Sequence, residues 1–400
     1  MTIKTRILRF IHRILLELLH IERRLEPWFR SLWNYLFREP SAWIIQFLIN
    51  RKRKDDGLQL AEEKNASDEE ESLNQIIDLM SDQMRGRFKP GAYERGGNTK
   101  THGILRATVT IRDDLPEHCR KGIFAKPASY PAYVRYSGPG PDVPADINDV
   151  GFMSMAVKLM GVPGKKLMEE EEKFTQDFIT TSGGQTFVTP DTRENVKLQY
   201  WSLVNMTLYY FLNPKDTHLL DFFMQSLWNQ TQYNPLGQRY WSCVAYLLGE
   251  GQAMQYSFVP KTEVDKKIPG LPFGRVPFNY LRDNLITTLD KKDVEFDLMI
   301  QLQTDPHLMP IENGAVRWPE KLSPFIPAAT VHIPKQHYDH EALSEFAKRL
   351  KMNPWHCLPE HRPLGNLNRA RRRMYYELSK FRQEMNQTTH LEPTGDEVFD

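Results

Sequence analysis

Residues 366–386 read NLNRARRRMYYELSKFRQEMN, an unusually basic stretch whose pattern predicts one helix. Side chains four positions apart share a helix face, so Arg371 should lie against Tyr375, with Arg382 about two turns further on the same side. A phenol with a pKa of about 10 is neutral at neutral pH, but a neighbouring guanidinium can stabilise its phenolate as a ligand for ferric iron. The pattern alone leaves open a second interpretation, an exposed basic helix with a packing aromatic.

The composition excludes some classes of partner. Lys and Arg total 52 against 51 Asp and Glu, so the folded chain has no net field that would attract nucleic acid. The three cysteines, Cys119, Cys243 and Cys357, are odd in number and far apart, which does not fit a disulfide framework. We therefore expect a reducing compartment, the cytoplasm.

The N-terminal region has a charge pattern of its own. Residues 1–54 hold twelve Lys and Arg against four Glu, and residues 55–75 hold eight acids against Lys64. Apolar residues recur at helical spacing from Ile7 to Leu25, with arginines on the other side. The pattern predicts a basic amphipathic helical arm followed by an acidic linker.

The arm has too many charges to span a bilayer, and Glu17 also argues against a secretory signal. A second apolar segment, Ser41–Ile49, ends in the basic run 51–54. Such helices can lie on an anionic membrane surface, which would place the protein peripherally on the inner membrane face. They can equally pack on the core or on a partner subunit, so both interpretations stay open.

The middle of the chain alternates in the manner of β-strands. Residues 102–112 (HGILRATVTIR) and 132–136 alternate apolar with polar residues and are rich in β-branched types. Further strand patterns occupy 151–160, 177–188, 242–248, 252–259, 295–303 and 328–333. Helical patterns occupy 73–84, 192–232 and 341–350. Strands grouped with helices around them favour an α+β fold over an alternating parallel one.

Three short motifs precede the basic helix in a fixed order. Thr101-His102-Gly103 opens the first strand, and Val134-Arg135-Tyr136-Ser137 lies on the second. The segment 353–365 reads NPWHCLPEHRPLG. Together with the helix, these motifs resemble the catalase-like haem proteins over roughly residues 90–385. The match is to the bacterial catalase-related branch, which also resembles coral allene oxide synthase.

The resemblance implies roles for the matching residues. Tyr375 would be the axial ligand of the haem iron, and Arg371 would stabilise its phenolate. Arg135 and Arg382 would bind haem propionates. His102 would move the peroxide proton, with Thr101 and Ser137 as its polar neighbours. Tyr376 is the alternative ligand, since it has Arg372 four residues before it but Gln383 seven residues after.

The chain also departs from the typical catalase pattern. The asparagine expected after the third core strand is replaced within 180–185, which reads TTSGGQ. Thr101 stands where true catalases tend to have an apolar residue, and its hydroxyl could blunt His102 as a base. The arginine expected three residues before His102 is Thr99, and Lys100 could substitute for it.

We therefore predict an α+β fold: a catalase-like antiparallel β-barrel with flanking helices and an N-terminal amphipathic helical arm. The expected parts are the arm and acidic linker (1–72), a haem-binding domain (73–386) and a flexible tail (387–400). The resemblance implies haem b and an oxidoreductase that acts on peroxides, as a peroxidase, a weak catalase or an enzyme that processes organic or lipid hydroperoxides. The alternatives are a haem carrier or sensor without significant peroxide turnover, and a membrane-associated structural protein without haem. The sequence leaves open whether the chain forms a homo-oligomer.

Overall fold

The computed structural model describes residues 3–399. Its helices are α1 Ile3–Trp33, α2 Glu39–Lys52, α3 Glu69–Arg87, α4 Thr192–Leu203, α5 Thr207–Leu212, α6 Leu219–Ser226, α7 Tyr280–Leu289, α8 Glu341–Arg349 and α9 Asn366–Asn386. Its strands are β1 Thr101–Ile111, β2 Ser129–Ser137, β3 Ser154–Leu159, β4 Gln176–Thr181, β5 Tyr240–Trp241, β6 Tyr246–Leu247, β7 Ala253–Pro260, β8 Val294–Leu302 and β9 Ile326–Ile333.

The strands form a closed antiparallel barrel. Strands β4, β3, β2, β1, β9, β8 and β7 are neighbours in that order. The two-residue strand β5 closes the ring, because Trp241 pairs with Thr181 of β4 and with Ser257 of β7. Strand β6 pairs with β7 outside this ring, so the barrel has eight strands. The predicted α+β barrel with flanking helices is confirmed.

Strand β1 shows how the sequence separates the inside of the barrel from its outside. Leu105, Val109 and Ile111 are buried, whereas Arg106 and Thr110, on the alternate positions, are exposed. Successive side chains of a strand point to opposite faces, so the apolar set fills the barrel and the polar set faces outward. This outer face matters below, because Arg135 on β2 pairs with Ile104, which lies on the same side as Arg106.

Some predicted boundaries differ from the observed ones. The strand predicted at 242–248 is reduced to the pair Tyr246–Leu247, because Cys243 takes a positive φ of 60° and turns the chain. Helix α9 has the predicted bounds. Helix α3 begins at Glu69, so a domain boundary at residue 72 would fall within its first turn.

The acidic linker is fastened to α9. Arg369 lies 2.7 Å from Glu63 and 2.8 Å from Glu69, and Arg373 contacts Glu70. The segment predicted as a flexible tail also contacts the barrel: the Tyr133 hydroxyl donates to Glu397 over 2.9 Å. Residue 400 lies outside the described residues.

A buried ionic network joins β3 and β4 to the segment before α9. The Lys158 ammonium lies 2.7 Å from Asp177 Oδ1 and also contacts Glu172. His356 Nδ1 lies 3.2 Å from both Glu172 and Asp177, and its Nε2 lies 3.0 Å from Glu171. These side chains have almost no exposure, so each charge depends on its partners. The network fixes the start of α9 against the barrel.

The network predicts a loss of stability in alkali. Burial alone would lower the pKa of His356, but Glu172, Asp177 and Glu171 raise it from 6.5 to about 10. A raised folded-state pKa contributes stability that is complete below 6.5 and disappears as the pH rises to about 10. We expect urea unfolding to show this fall in the free energy of unfolding. The fall should be smaller in His356→Gln, and equal slopes in the two proteins would contradict the assignment.

Candidate functional site

A cavity of about 300 Å³ lies between the outer face of the barrel and α9. Two rows of cross-strand neighbours on β2, β3 and β4 form its barrel-side wall: Arg135, Ala156 and Ile179 in one row, and Ser137, Ser154 and Thr181 in the other. Most of these side chains are small, which leaves a shallow, extended space above the sheet. Apolar residues including Phe152, Met374 and Leu378 line much of the rest.

Tyr375 faces this cavity from α9 with Arg371 beside it. The Arg371 Nε and Nη2 groups lie 3.3 and 3.2 Å from the Tyr375 hydroxyl oxygen. Arg371 Nη1 donates to Asn368 Oδ1 over 2.9 Å, which fixes the guanidinium in place. Burial alone would lower the pKa of Arg371, but the phenol groups of Tyr375 and its neighbours raise it. The guanidinium is therefore a permanent positive charge next to the phenol oxygen.

Tyr376, the alternative ligand, lies elsewhere. Its side chain is exposed and does not line the cavity, and the Lys351 ammonium lies 5.5 Å from its ring centroid. One position along a helix rotates a side chain by about 100°, which separates the two tyrosines. Only Tyr375 of the pair is positioned to contact a molecule bound in this cavity.

The turn before α9 sets this orientation. Gly365 precedes the helix with a φ of 86°, and a Cβ there would lie 2.4 Å from the Ile311 carbonyl oxygen. A side chain at this position would therefore strain the backbone and clash. The Trp355 indole donates to the Asn368 carbonyl over 2.7 Å and holds the first turn of α9.

Three further arginines reach the cavity from different elements. Arg135 comes from β2, Arg382 from α9 and Arg95 from the loop before β1. Burial and the charge of Arg382 lower the pKa of Arg135 to about 9, and burial lowers the pKa of Arg382 to about 10. Burial and the charges of the other two lower the pKa of Arg95. None of the three forms an ion pair with a carboxylate among residues 3–399, so they leave a strongly positive end of the cavity.

The hydrogen bonds of these arginines are mostly to neutral oxygens. Arg135 donates to the Asn98 carbonyl over 2.6 Å, to Thr101 Oγ1 over 2.7 Å and to Ser137 Oγ over 3.1 Å. Its Nε has no partner among the described residues. Arg95 donates to the Ala347 and Leu350 carbonyls, both over 3.0 Å. The charge of Glu94 favours the protonated form of all three arginines, but Glu94 forms no ion pair with any of them.

His102 does not line this cavity. The β1–β2 register shifts between Thr101 and Gly103, so His102 is the extra residue of a β-bulge. Thr101 turns its hydroxyl toward Arg135, whereas His102 lines an adjacent pocket with Lys100 and Tyr338. The structure therefore brings five of the predicted residues to one cavity: Tyr375, Arg371, Arg135, Arg382 and Ser137. Thr101 and His102 do not line this cavity and lie in the adjacent pocket instead. The predicted role of His102 in moving a peroxide proton stays a prediction, and this geometry does not support it.

The surroundings of His102 make it a weak base. Burial and the charges of Lys100 and Arg135 lower its pKa to about 3. Its Nδ1 lies 3.9 Å from Asp146 Oδ1, and neither ring nitrogen has a hydrogen-bond partner among the described residues. The imidazole is neutral at neutral pH and available to accept a hydrogen bond.

Some residues of the cavity were not predicted from the sequence. Lys100, considered as a substitute for the missing arginine, instead lies 2.5 Å from Asp146, and Arg95 takes the position in the cavity. No local pattern marks Arg95, because it lies in a loop. Gln185 does not line the cavity, since its amide contacts Gln301, a buried residue of β8. Thr180 and Thr181 line the cavity in that region.

The amino-acid sequence matches no protein-family model and no curated protein. The fold, however, is similar to solved catalases. A fungal catalase aligns with a TM-score of 0.60 at 15% identity, covering 87% of this chain and 70% of that chain. A bacterial catalase aligns at 0.54 and 14%, with 87% and 70% covered, and catalase A from Saccharomyces cerevisiae at 0.58 and 12%, with 87% and 72% covered. The chain therefore has a catalase-like fold.

Because Arg382 has no carboxylate partner among the described residues, replacing it should change the free energy of unfolding very little. Arg382→Met removes a buried charge without a carboxylate partner and loses one hydrogen bond, to the Lys348 carbonyl. We expect it to change the free energy of unfolding of the cofactor-free protein by less than about 1 kcal/mol, or to raise it. Arg369→Met is the matched control, because Arg369 pairs with Glu63, Glu69 and Glu312. Arg369→Met should lower the free energy of unfolding, measured in urea, by about 2 kcal/mol. Equal losses in the two variants would contradict the absence of a carboxylate partner for Arg382.

Proposed function

We propose that the cavity binds haem b, with Tyr375 as the axial ligand of the iron. The observation that carries this proposal is one apolar cavity that combines a guanidinium-supported phenol with three arginines lacking carboxylate partners. A porphyrin with two propionates has the matching chemistry, since it is flat and apolar with anions at one edge. Arg95, Arg135 and Arg382 would bind those carboxylates.

Features of the protein itself fit such a group. The free Nε of Arg135 is a buried donor that still needs an acceptor. Ser137, Ser154 and Ala156 are small enough to leave space for a planar ring system above the sheet. Arg371 would place its positive charge 3.2 Å from the phenol oxygen that binds the ferric iron.

We further propose that the protein is an oxidoreductase that acts on peroxides. Ferric haem with an anionic tyrosine ligand supplies the chemistry of O–O bond cleavage. The chain contributes the Ser137 hydroxyl as a hydrogen-bonding group in a cavity whose walls are largely apolar. A cavity without an imidazole base or the typical asparagine favours an organic or lipid hydroperoxide over rapid dismutation of hydrogen peroxide.

A second candidate function is haem carriage or sensing. The position of His102 favours it, because the imidazole lies outside the cavity and burial makes it a weak base. A carrier needs the ligand and the arginines but no proton transfer. The two functions differ in turnover, not in haem binding.

The two tyrosines provide a direct test of the ligand. Purified protein reconstituted with haemin should give the absorbance spectrum of a high-spin ferric haem. Tyr375→Phe should abolish that spectrum, because it removes the proposed ligand, whereas Tyr376→Phe should retain it. Retention in Tyr375→Phe, or loss only in Tyr376→Phe, would exclude the assignment.

Substrate turnover separates the enzyme from the carrier. We expect the reconstituted protein to turn over a fatty acid hydroperoxide faster than hydrogen peroxide. Removing a general base typically lowers a rate by about 10²–10⁴-fold. We expect His102→Ala to lower it less than about tenfold, because the imidazole lies outside the cavity. A larger loss would identify His102 as the base, and inertness of the parent to both peroxides would favour the carrier.

A further inference from the structure

The arm carries many exposed apolar side chains on the side that faces away from the barrel. Helices α1 and α2 are joined by a short π-helical segment, Asn34–Arg38, into one long helical arm. Large apolar side chains stand exposed along its length, among them Phe10, Leu18, Trp28, Leu32, Trp43 and Phe47. Trp28 is 60% exposed and Trp43 is 70% exposed. We call these six residues the outer face.

The opposite face of α1 is fixed to the barrel. Glu26 is only 1% exposed and accepts a hydrogen bond from Thr231 Oγ1 over 2.7 Å. Arg30 lies 3.1 Å from Glu26 and donates to the Leu227 and Asn229 carbonyls over 2.8 and 2.9 Å. A charged residue buried this completely, with its partners in place, does not rotate out easily. The outer face therefore cannot turn toward the core.

Helix geometry puts these two faces on opposite sides. At about 100° per residue, Glu26 and Arg30 lie within about 40° of each other. Trp28 and Leu32 lie about 120–160° away from both, and Leu18 lies about 80–120° away. The arm is therefore amphipathic in an unusual sense, because its ionic side docks on the protein and its apolar side faces solvent.

Basic residues border the outer face. Arg6 and Arg13 are exposed about 80–100° from its centre on α1, and α2 ends in the exposed Arg51 and Lys52. Residues 1–54 carry twelve basic and four acidic side chains, a formal excess of eight positive charges. Glu26 is paired with Arg30 inside, and the exposed acids of the arm are Glu17 and Glu39. The exposed basic side chains outnumber them: Arg6, Arg9, Arg13, Arg51, Lys52 and Lys54.

A loop beside the arm adds another exposed aromatic ring. Arg24 of α1 donates to the Pro272 carbonyl over 2.9 Å and to the Gly274 carbonyl over 2.6 Å. These bonds hold the loop between them, and its Phe273 is 90% exposed. Phe273 therefore adds exposed apolar surface beside the arm.

We propose that the outer face of the arm docks on the surface of an anionic lipid bilayer. Apolar and aromatic residues on one side of a helix, bordered by arginine and lysine, match the interface between acyl chains and anionic headgroups. No helix among the described residues is long and apolar enough to cross a membrane, so the arm would lie in the surface plane. A second copy of the chain fits less well, because it would bring two positive borders together.

The test uses the full chain and vesicle flotation. The parent should float with phosphatidylcholine vesicles that contain phosphatidylserine, and much less with phosphatidylcholine alone. Trp28→Glu combined with Trp43→Glu should lower binding at least about tenfold, because it places charge in the interface. Arg6→Glu with Arg13→Glu should lower it by a similar factor on the anionic vesicles only. Raising the salt to 1 M should weaken it, because the Debye length falls to about 3 Å.

The matched control is Phe174→Glu, which changes an aromatic residue 61% exposed on the connection between β3 and β4. It should bind like the parent. Thermal unfolding followed by circular dichroism shows whether each variant is folded. If the tryptophan double variant does not fold, the arginine double variant still tests the proposal. The proposal would be overturned if the parent bound both kinds of vesicle equally and both double variants bound as well as the parent. So would a parent dimer that the tryptophan variant converts to monomer, since the outer face would then be a protein interface.

Discussion

The site depends on buried positive charge that no ion pair with a carboxylate neutralises among the described residues, although Glu94 offsets part of it from a greater distance. The guanidinium groups of Arg95, Arg135, Arg371 and Arg382 line one cavity, and none forms an ion pair with a carboxylate among the described residues. Burial, and then the neighbouring charges of like sign, lower the pKa values of Arg95 and Arg135. The proposed propionate groups would offset this effect, because each would bring a negative charge to the arginines.

Helix α9 shows how one basic stretch divides into two roles. Arg369 and Arg373 face outward and pair with acids of the linker, so they fix the helix to the rest of the chain. Arg371 faces the cavity and meets Tyr375. The interpretation of α9 as a simple exposed basic helix fails, because its arginines are sorted by face. The acidic linker supplies partners for one face and leaves the other face for a ligand.

Features that follow the regular period of a helix or a strand could be predicted from the sequence. The spacing of Arg371, Tyr375 and Arg382 follows the helix, and the alternation of β1 follows the strand, so both were readable from residue types alone. The bulge at Thr101–Gly103 was not readable, because it depends on register against β2, a strand about thirty residues away in the chain. Its consequence is large, since it moves His102 out of the cavity. The position of Arg95 in the cavity could not be predicted either, because only the tertiary fold brings its loop to the site.

The arm and the cavity are mechanically connected. Arg23 of α1 donates to the Val150 carbonyl over 2.9 Å, two residues before Phe152 in the cavity wall. Arg30 binds carbonyls immediately after Gln225, which lines the cavity from the other side. The same buried face that holds the apolar surface outward thus also holds two walls of the cavity. The contacts that position the arm therefore also position two segments that line the cavity.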